Sequence, residues 1–323
     1  FVLFIIIGYF LFSYQDQNLS YNWVPIWILL CFSASIFLFL MPIFSILQGT
    51  GYIKDVYSVK LIQNISSIIF FFIIVLYLEG LLATVSISVS AIIVQVFYLI
   101  KKHKQAFYVY IRSVRSSDST RLPNNSFVLH VGISWLAGYI ITQFQILVVF
   151  IYLSVELSGK FGLSLAMLNT ILLISSSKLH LNIPDMTREA TKGNQKNLDR
   201  IYFASLKELF KIYIPGVLAV CLLYYMNDLN FLTDRMLSLN FLITLALAIL
   251  SNQIIGSIII YTRSFLVDPL FKINSFSSPI ILFLSIATIN DYGIYGPILS
   301  LLGTQLFIVL PLAIKSLIKI RNV

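Results

Sequence analysis

Apolar stretches near 20 residues long recur along the whole of this 323-residue chain, separated by short polar turns. A helix rises about 1.5 Å per residue, so each stretch is long enough to cross a hydrocarbon core of about 30 Å. The stretches are continuous and do not alternate between apolar and polar residues. That pattern excludes a transmembrane barrel and selects helices, which satisfy their backbone polar groups within the segment. The expected fold class is therefore all-α, a polytopic helical bundle integral to a membrane. Composition agrees: 59% of residues are hydrophobic and 11% charged, against about 45–50% and about 25% in a soluble domain. A soluble globular enzyme is excluded.

Ten spans are expected, at 1–13, 25–46, 60–78, 80–100, 127–153, 161–178, 207–226, 239–261, 273–289 and 295–316. Nothing basic and no cleavage site precedes the run from Phe1 to Phe12, so it reads as the second half of a membrane helix and not as a signal peptide. Cys31 and Cys221 both lie in apolar runs, which leaves neither a disulfide framework nor a zinc-ligand spacing.

The loops set the orientation. With 101–126 placed in the cytoplasm, 20 of the 22 Lys and Arg fall on that side, and only Lys160 and Arg235 lie outside. The 13 acids divide 7 to 6, so the asymmetry belongs to the cations, as the positive-inside rule requires. The net charge of +9 thus reports topology, not a nucleic-acid partner, and the C-terminus is expected in the cytoplasm. Residues 101–126 read as a basic cytoplasmic linker between a four-span lobe, 1–100, and a six-span lobe, 127–323. In 182–206, Pro184 marks a helix start and Gly193-Asn194 a stop. Leu198, Ile201, Tyr202 and Leu206, set among Lys196, Arg200 and Lys207, then predict a short basic amphipathic helix lying on the inner leaflet against anionic lipid.

Catalytic chemistry finds no footing. There is no Cys/His metal cluster and no phosphate loop, and His103, His130 and His180 are too widely separated to form a triad. The outer segments are short and their acids scattered, so a membrane polymerase, with its large external loop, is disfavoured and no enzyme activity is expected. Amides do recur inside the spans: Gln63, Asn64, Gln95, Gln143, Gln145, Asn169, Asn252, Gln253 and Gln305. An amide facing lipid is costly, so each faces either a neighbouring helix, as a hydrogen-bonded link, or a wet cavity. As a set they suit a cavity that passes sugars, whose hydroxyls both donate and accept. His130 lies several residues inside the inner end of its span; it either carries a proton or meets a phosphate, or snorkels at the interface.

Three stretches carry a resemblance. They are Leu47-Gln48-Gly49-Thr50-Gly51 after the second span; Thr142-Gln143-Phe144-Gln145 leading to Ser158-Gly159-Lys160-Phe161-Gly162; and Pro184 through Ala190 to Gly193-Asn194. In order and in membrane side they resemble the polysaccharide transporter, or O-antigen flippase, family of the multidrug/oligosaccharidyl-lipid/polysaccharide exporter superfamily. The resemblance implies twelve helices in two six-helix lobes, so that two helices are expected to precede Phe1. It also implies translocation of an oligosaccharide repeat unit on undecaprenyl diphosphate across the bacterial inner membrane by alternating access. No cofactor is implied; a proton or sodium gradient is left as the driving force, with His130 its candidate. Further implied partners are the polysaccharide polymerase and chain-length proteins. The chain departs from the chemistry in one respect, because no Arg lies mid-span to meet a diphosphate. Those cations are expected in the two preceding helices, or else at inner helix ends, where Lys60, Lys178, Lys211 and Arg263 lie. A drug or small-cation exporter of the same fold would carry acids mid-span, and none of the 13 is there.

Overall fold

The computed structural model describes residues 2, 5, 6, 8–10, 23–77, 80–104, 108, 112, 125–225, 234–265, 267 and 271–321. All regular structure among them is helical, and eight of the described stretches are long and apolar enough to cross a membrane. The expected span 1–13 lies largely outside the described residues, and 207–226 is the second half of a longer helix whose first half is polar. The chain is thus a multi-pass helical membrane protein. It divides into two compact units, Phe1–Arg121 and Leu122–Val323. Most of segment 101–126 lies outside the described residues.

In the first unit, α1 (Val24–Gly49), α2 (Ile53–Tyr77) and α3 (Gly80–Lys102) pack together. Pro25 occupies the first turn of α1, where its missing N–H costs no helical hydrogen bond. Leu40, Ile43 and Leu47 of α1 bury against Val56 and Val59 of α2 and Leu99 of α3. Higher along α2 and α3 the seam turns polar: the Ser90 hydroxyl donates to Ser67 Oγ (3.1 Å), which itself donates to the Ile87 carbonyl (3.1 Å). At the end of α3, Lys102 Nζ lies 2.7 Å from Asp55, with His103 Nε2 3.4 Å from the other carboxylate oxygen.

The second unit runs α4 (Asn125–Thr142), α5 (Phe144–Tyr152), α6 (Val155–Leu181), α7 (Ile183–Thr191), α8 (Gln195–Tyr225), α9 (Leu239–Arg263), α10 (Phe271–Tyr292), α11 (Tyr295–Thr304), a π-helical turn (Gln305–Val309) and α12 (Leu310–Arg321). Its core joins Val149 of α5, Phe161 and Leu168 of α6, Leu209 of α8, Ile249 of α9, Ile289 of α10 and Ile298 of α11. Tyr213 enters the same core and donates its hydroxyl to the Ala246 carbonyl at 2.9 Å. Ser154 caps α6 by accepting from the Leu157 N–H at 3.1 Å. Helices α6 and α8 cross where a Cβ on Gly216 would stand 2.5 Å from Ile171 Cγ2, so only glycine permits that approach. Large apolar side chains such as Phe276, Phe283 and Phe307 remain exposed, an arrangement that hydrocarbon surroundings satisfy.

Pro184 does begin α7, and Gly193, at φ +69°, ends the turn that follows it. The buried Glu189 carboxylate fastens that turn by accepting from Asn194 Nδ2 (2.9 Å) and Asn197 Nδ2 (3.0 Å). The surface helix expected next is corrected: Gln195 to Tyr225 is one continuous helix of 31 residues. Leu198 and Tyr202 bury against Leu179, Met186 and Tyr261, so the apolar stripe meets other helices and not the leaflet. A stripe identifies a face to be buried without specifying what buries it. The two spans expected at 127–153 and 295–316 are each interrupted, the first at Gln143 and the second by the π turn.

Candidate functional site

Two interruptions inside otherwise apolar helices define the candidate site, both within the second unit. The first begins with Thr142, whose hydroxyl donates to the Gly138 carbonyl at 3.1 Å. Such back-bonding competes with the helical ladder and bends it. The helix resumes at Phe144, and the next residue is Gln145. Gln145 is 1% exposed, and neither its Oε1 nor its Nε2 has a hydrogen-bond partner among the protein atoms. Ile141 and Val149, four residues to either side, share its helix face. Ile141 packs with Ala248, Ile281 and Leu301, and Val149 with the cluster containing Ile298. The Gln145 amide is therefore a polar layer between two apolar ones.

The second interruption is the π turn. Gln305, its first residue, is 1% exposed; its Oε1 accepts from the Ser251 hydroxyl (2.8 Å) and its Nε2 donates to Asn252 Oδ1 (3.0 Å). The neighbouring Thr304 hydroxyl is buried and has no protein partner. A π turn inserted in an α-helix often marks a functional position, because it leaves backbone carbonyls without their usual partners.

The remaining sequence candidates are placed as follows. Gln95, buried in the first unit, donates Nε2 to Gln63 Oε1 at 2.8 Å and so ties α3 to α2. Asn64 is exposed, while Gln143, Asn169 and Gln253 are half-buried. Gln63 with Gln95, and Asn252 with Gln305, thus form interhelical links, although the buried Gln95 Oε1 is left without a partner; Gln145 differs in that both ends of its amide are unpartnered. His130 stacks on the Phe271 ring, centroids 4.3 Å apart and planes 26° apart. One turn deeper, Asn274 Nδ2 lies 3.4 Å from Ser134 Oγ, so His130 belongs to the seam between α4 and α10.

Of the four candidate cations, Lys178 and Lys211 come together around Glu208, at 4.0 and 3.2 Å. Lys60 lies over the Tyr57 ring, 5.5 Å from its centroid, and Arg263 is half-buried at the end of α9. Sequence reasoning missed a further polar assembly at this end of the second unit. Asp199 accepts from Tyr261 (2.7 Å) and pairs with Arg321 (2.6 Å), while Gln195 Nε2 donates to the Arg321 carbonyl (2.6 Å). Its members lie 62 and 122 residues apart, a separation that leaves no local signal in the sequence.

Chemically, the two turns offer amides and hydroxyls that exchange hydrogen bonds with neutral polar groups. Among the described residues no group of three His, Cys, Asp or Glu side chains comes together. No family model, curated protein or solved structure matches the chain.

Proposed function

We propose that the chain is a flippase that carries an undecaprenyl-diphosphate-linked oligosaccharide repeat unit, of O-antigen or a related surface polysaccharide, across the bacterial inner membrane. The supporting observation is a pair of irregular helical turns, one at Gln143, which keeps helical dihedrals, and the other the π turn beginning at Gln305, each beside buried polar side chains. A π turn inside a membrane helix often marks a functional position. The Gln145 amide can both donate and accept, which matches sugar hydroxyls. Lys178 and Lys211, partly neutralised by Glu208, supply charge for a diphosphate at the inner end. The polyprenyl tail stays in lipid throughout, two lobes alternate in access, and the C-terminus faces the cytoplasm. In this reading the chain moves a finished molecule and makes or breaks no covalent bond.

A deletion strain tests the proposal. Completed single repeat units on their lipid carrier are expected to accumulate on the inner leaflet, and expression of the protein from a plasmid should clear them. Export of one unit per lipid A would identify a polymerase instead, and an unchanged polysaccharide with altered drug sensitivity would identify a drug exporter.

A further inference from the structure

We infer that the basic end of the second unit holds one anionic phospholipid in a cavity beside α12. This inference is independent of the proposed transport. A cavity of about 640 Å³ opens between the turn after α7, the residues after α9 and the last turns of α12. Binding sites for small molecules span about 300–1,000 Å³, so the space admits a glycerophosphate head group and the start of an acyl chain. Its lining is of two kinds: Phe265, Val267 and Ile320 are apolar, while Gln195, Ser316 and Lys319 carry donors. A soluble phosphate has no use for the apolar wall, and a neutral hydrocarbon has none for the ammonium.

The charges around it decide the sign of the occupant. A second cavity of about 320 Å³ includes Gln195, Lys196, Asp199 and Arg321 in its lining, so Gln195 borders both. There Arg321 is already neutralised by Asp199 at 2.6 Å. Lys319 and Lys196 have no carboxylate partner among the described residues, so the described residues that line the two cavities carry a net positive charge. Basic pockets between membrane helices are recognised by the head groups of anionic lipids. Lys319, with Ser316 one turn before it on α12, would meet the phosphate, and Phe265, Val267 and Ile320 the first methylenes.

Native mass spectrometry of the full chain, purified in neutral detergent and titrated with phosphatidylglycerol or phosphatidylcholine, tests this. One phosphatidylglycerol per chain is expected to be retained in preference to phosphatidylcholine. Lys319→Gln should weaken its binding about tenfold, the loss of one charge-assisted hydrogen bond. Lys315→Gln, on the same helix but away from the cavity lining, should leave binding within about twofold if the contact is a site and not diffuse surface charge. Ser316→Leu, which fills the cavity without changing charge, should also weaken binding and serves as a second variant should Lys319→Gln fail to fold. Equal effects of the two lysine variants, equal binding of the two lipids, full displacement by millimolar inorganic phosphate, or retention of undecaprenyl phosphate alone would each overturn the assignment.

Discussion

A primary amide brings two donors and an acceptor oxygen, and burying them without partners costs about 1–3 kcal/mol. Gln145 is the clearest instance in this chain, at 1% exposure with both amide ends unpartnered by protein. Gln145→Leu, similar in volume, is expected to stabilise the protein by about 1–3 kcal/mol in chemical denaturation. The same variant should fail to restore polysaccharide in the deletion strain; restoration at the wild-type level would remove Gln145 from the site. Gln305 and Asn252 should behave differently because they satisfy each other. A double-mutant cycle with Gln305→Leu and Asn252→Leu is expected to give a coupling of about 0.6–1.7 kcal/mol, the range of interhelical hydrogen bonds in membranes. At this scale the residue types were legible in the sequence, since an amide in an apolar run announces itself. Their roles were not, because the partners of Gln95 and Gln305 lie 32 and 53 residues away.

Among the elements, the crossing of α6 and α8 carries the sharpest steric demand. Gly216→Leu would drive side-chain atoms into Ile171, and a loss of about 1–3 kcal/mol is expected from overpacking. A thermal unfolding midpoint measured in detergent would show it, and Ile171→Ala in the same chain should recover part of the loss by making room. Helix positions were read from the runs with uneven success: α1, α3, α9 and α10 extend the expected spans by no more than three residues at either end, whereas α2 begins at Ile53 and α6 at Val155, well before the expected 60 and 161. Interruptions escaped detection for a physical reason. Neither Gln143 nor Gln305 is a helix breaker, and the hydroxyl-to-carbonyl bond that Thr142 makes is also made by Thr170 and Thr244 inside unbroken helices, so no local residue type marks either turn. The amphipathic start of α8 was misassigned for the complementary reason, since Leu198 and Tyr202 would present the same pattern to lipid as they do to Tyr261.

For the molecule as a whole, the distribution of cations makes a prediction about sidedness. In a chain with Cys31 and Cys221 replaced by Ser, a single cysteine at position 196 or 319 should react with an impermeant reagent only from the cytoplasmic side. Cysteines at 160 and 235 should react only from the outside; labelling in the reverse sense would invert the topology argued from the 20 cations. The π turn bears on the same end of the molecule through rotation. A π turn accommodates one residue more than an α-helical turn, and each residue added to a helix advances its heading by about 100°. Gln305–Val309 therefore sets the heading at which α12 leaves α11, with Ala313 directed into the core and Arg321 toward Asp199. Deleting one residue from the turn would restore a regular helix and leave α12 at its present heading, whereas winding all of Gln305–Val309 as regular α-helix would swing the whole of α12 by about 100°. Ala313 would leave its seat and Arg321 would lose its carboxylate, although every side chain they meet would still be present. The turn works as a spacer that keeps two ends of one helix in phase with different neighbours, and its wider winding is as constrained as any residue within it.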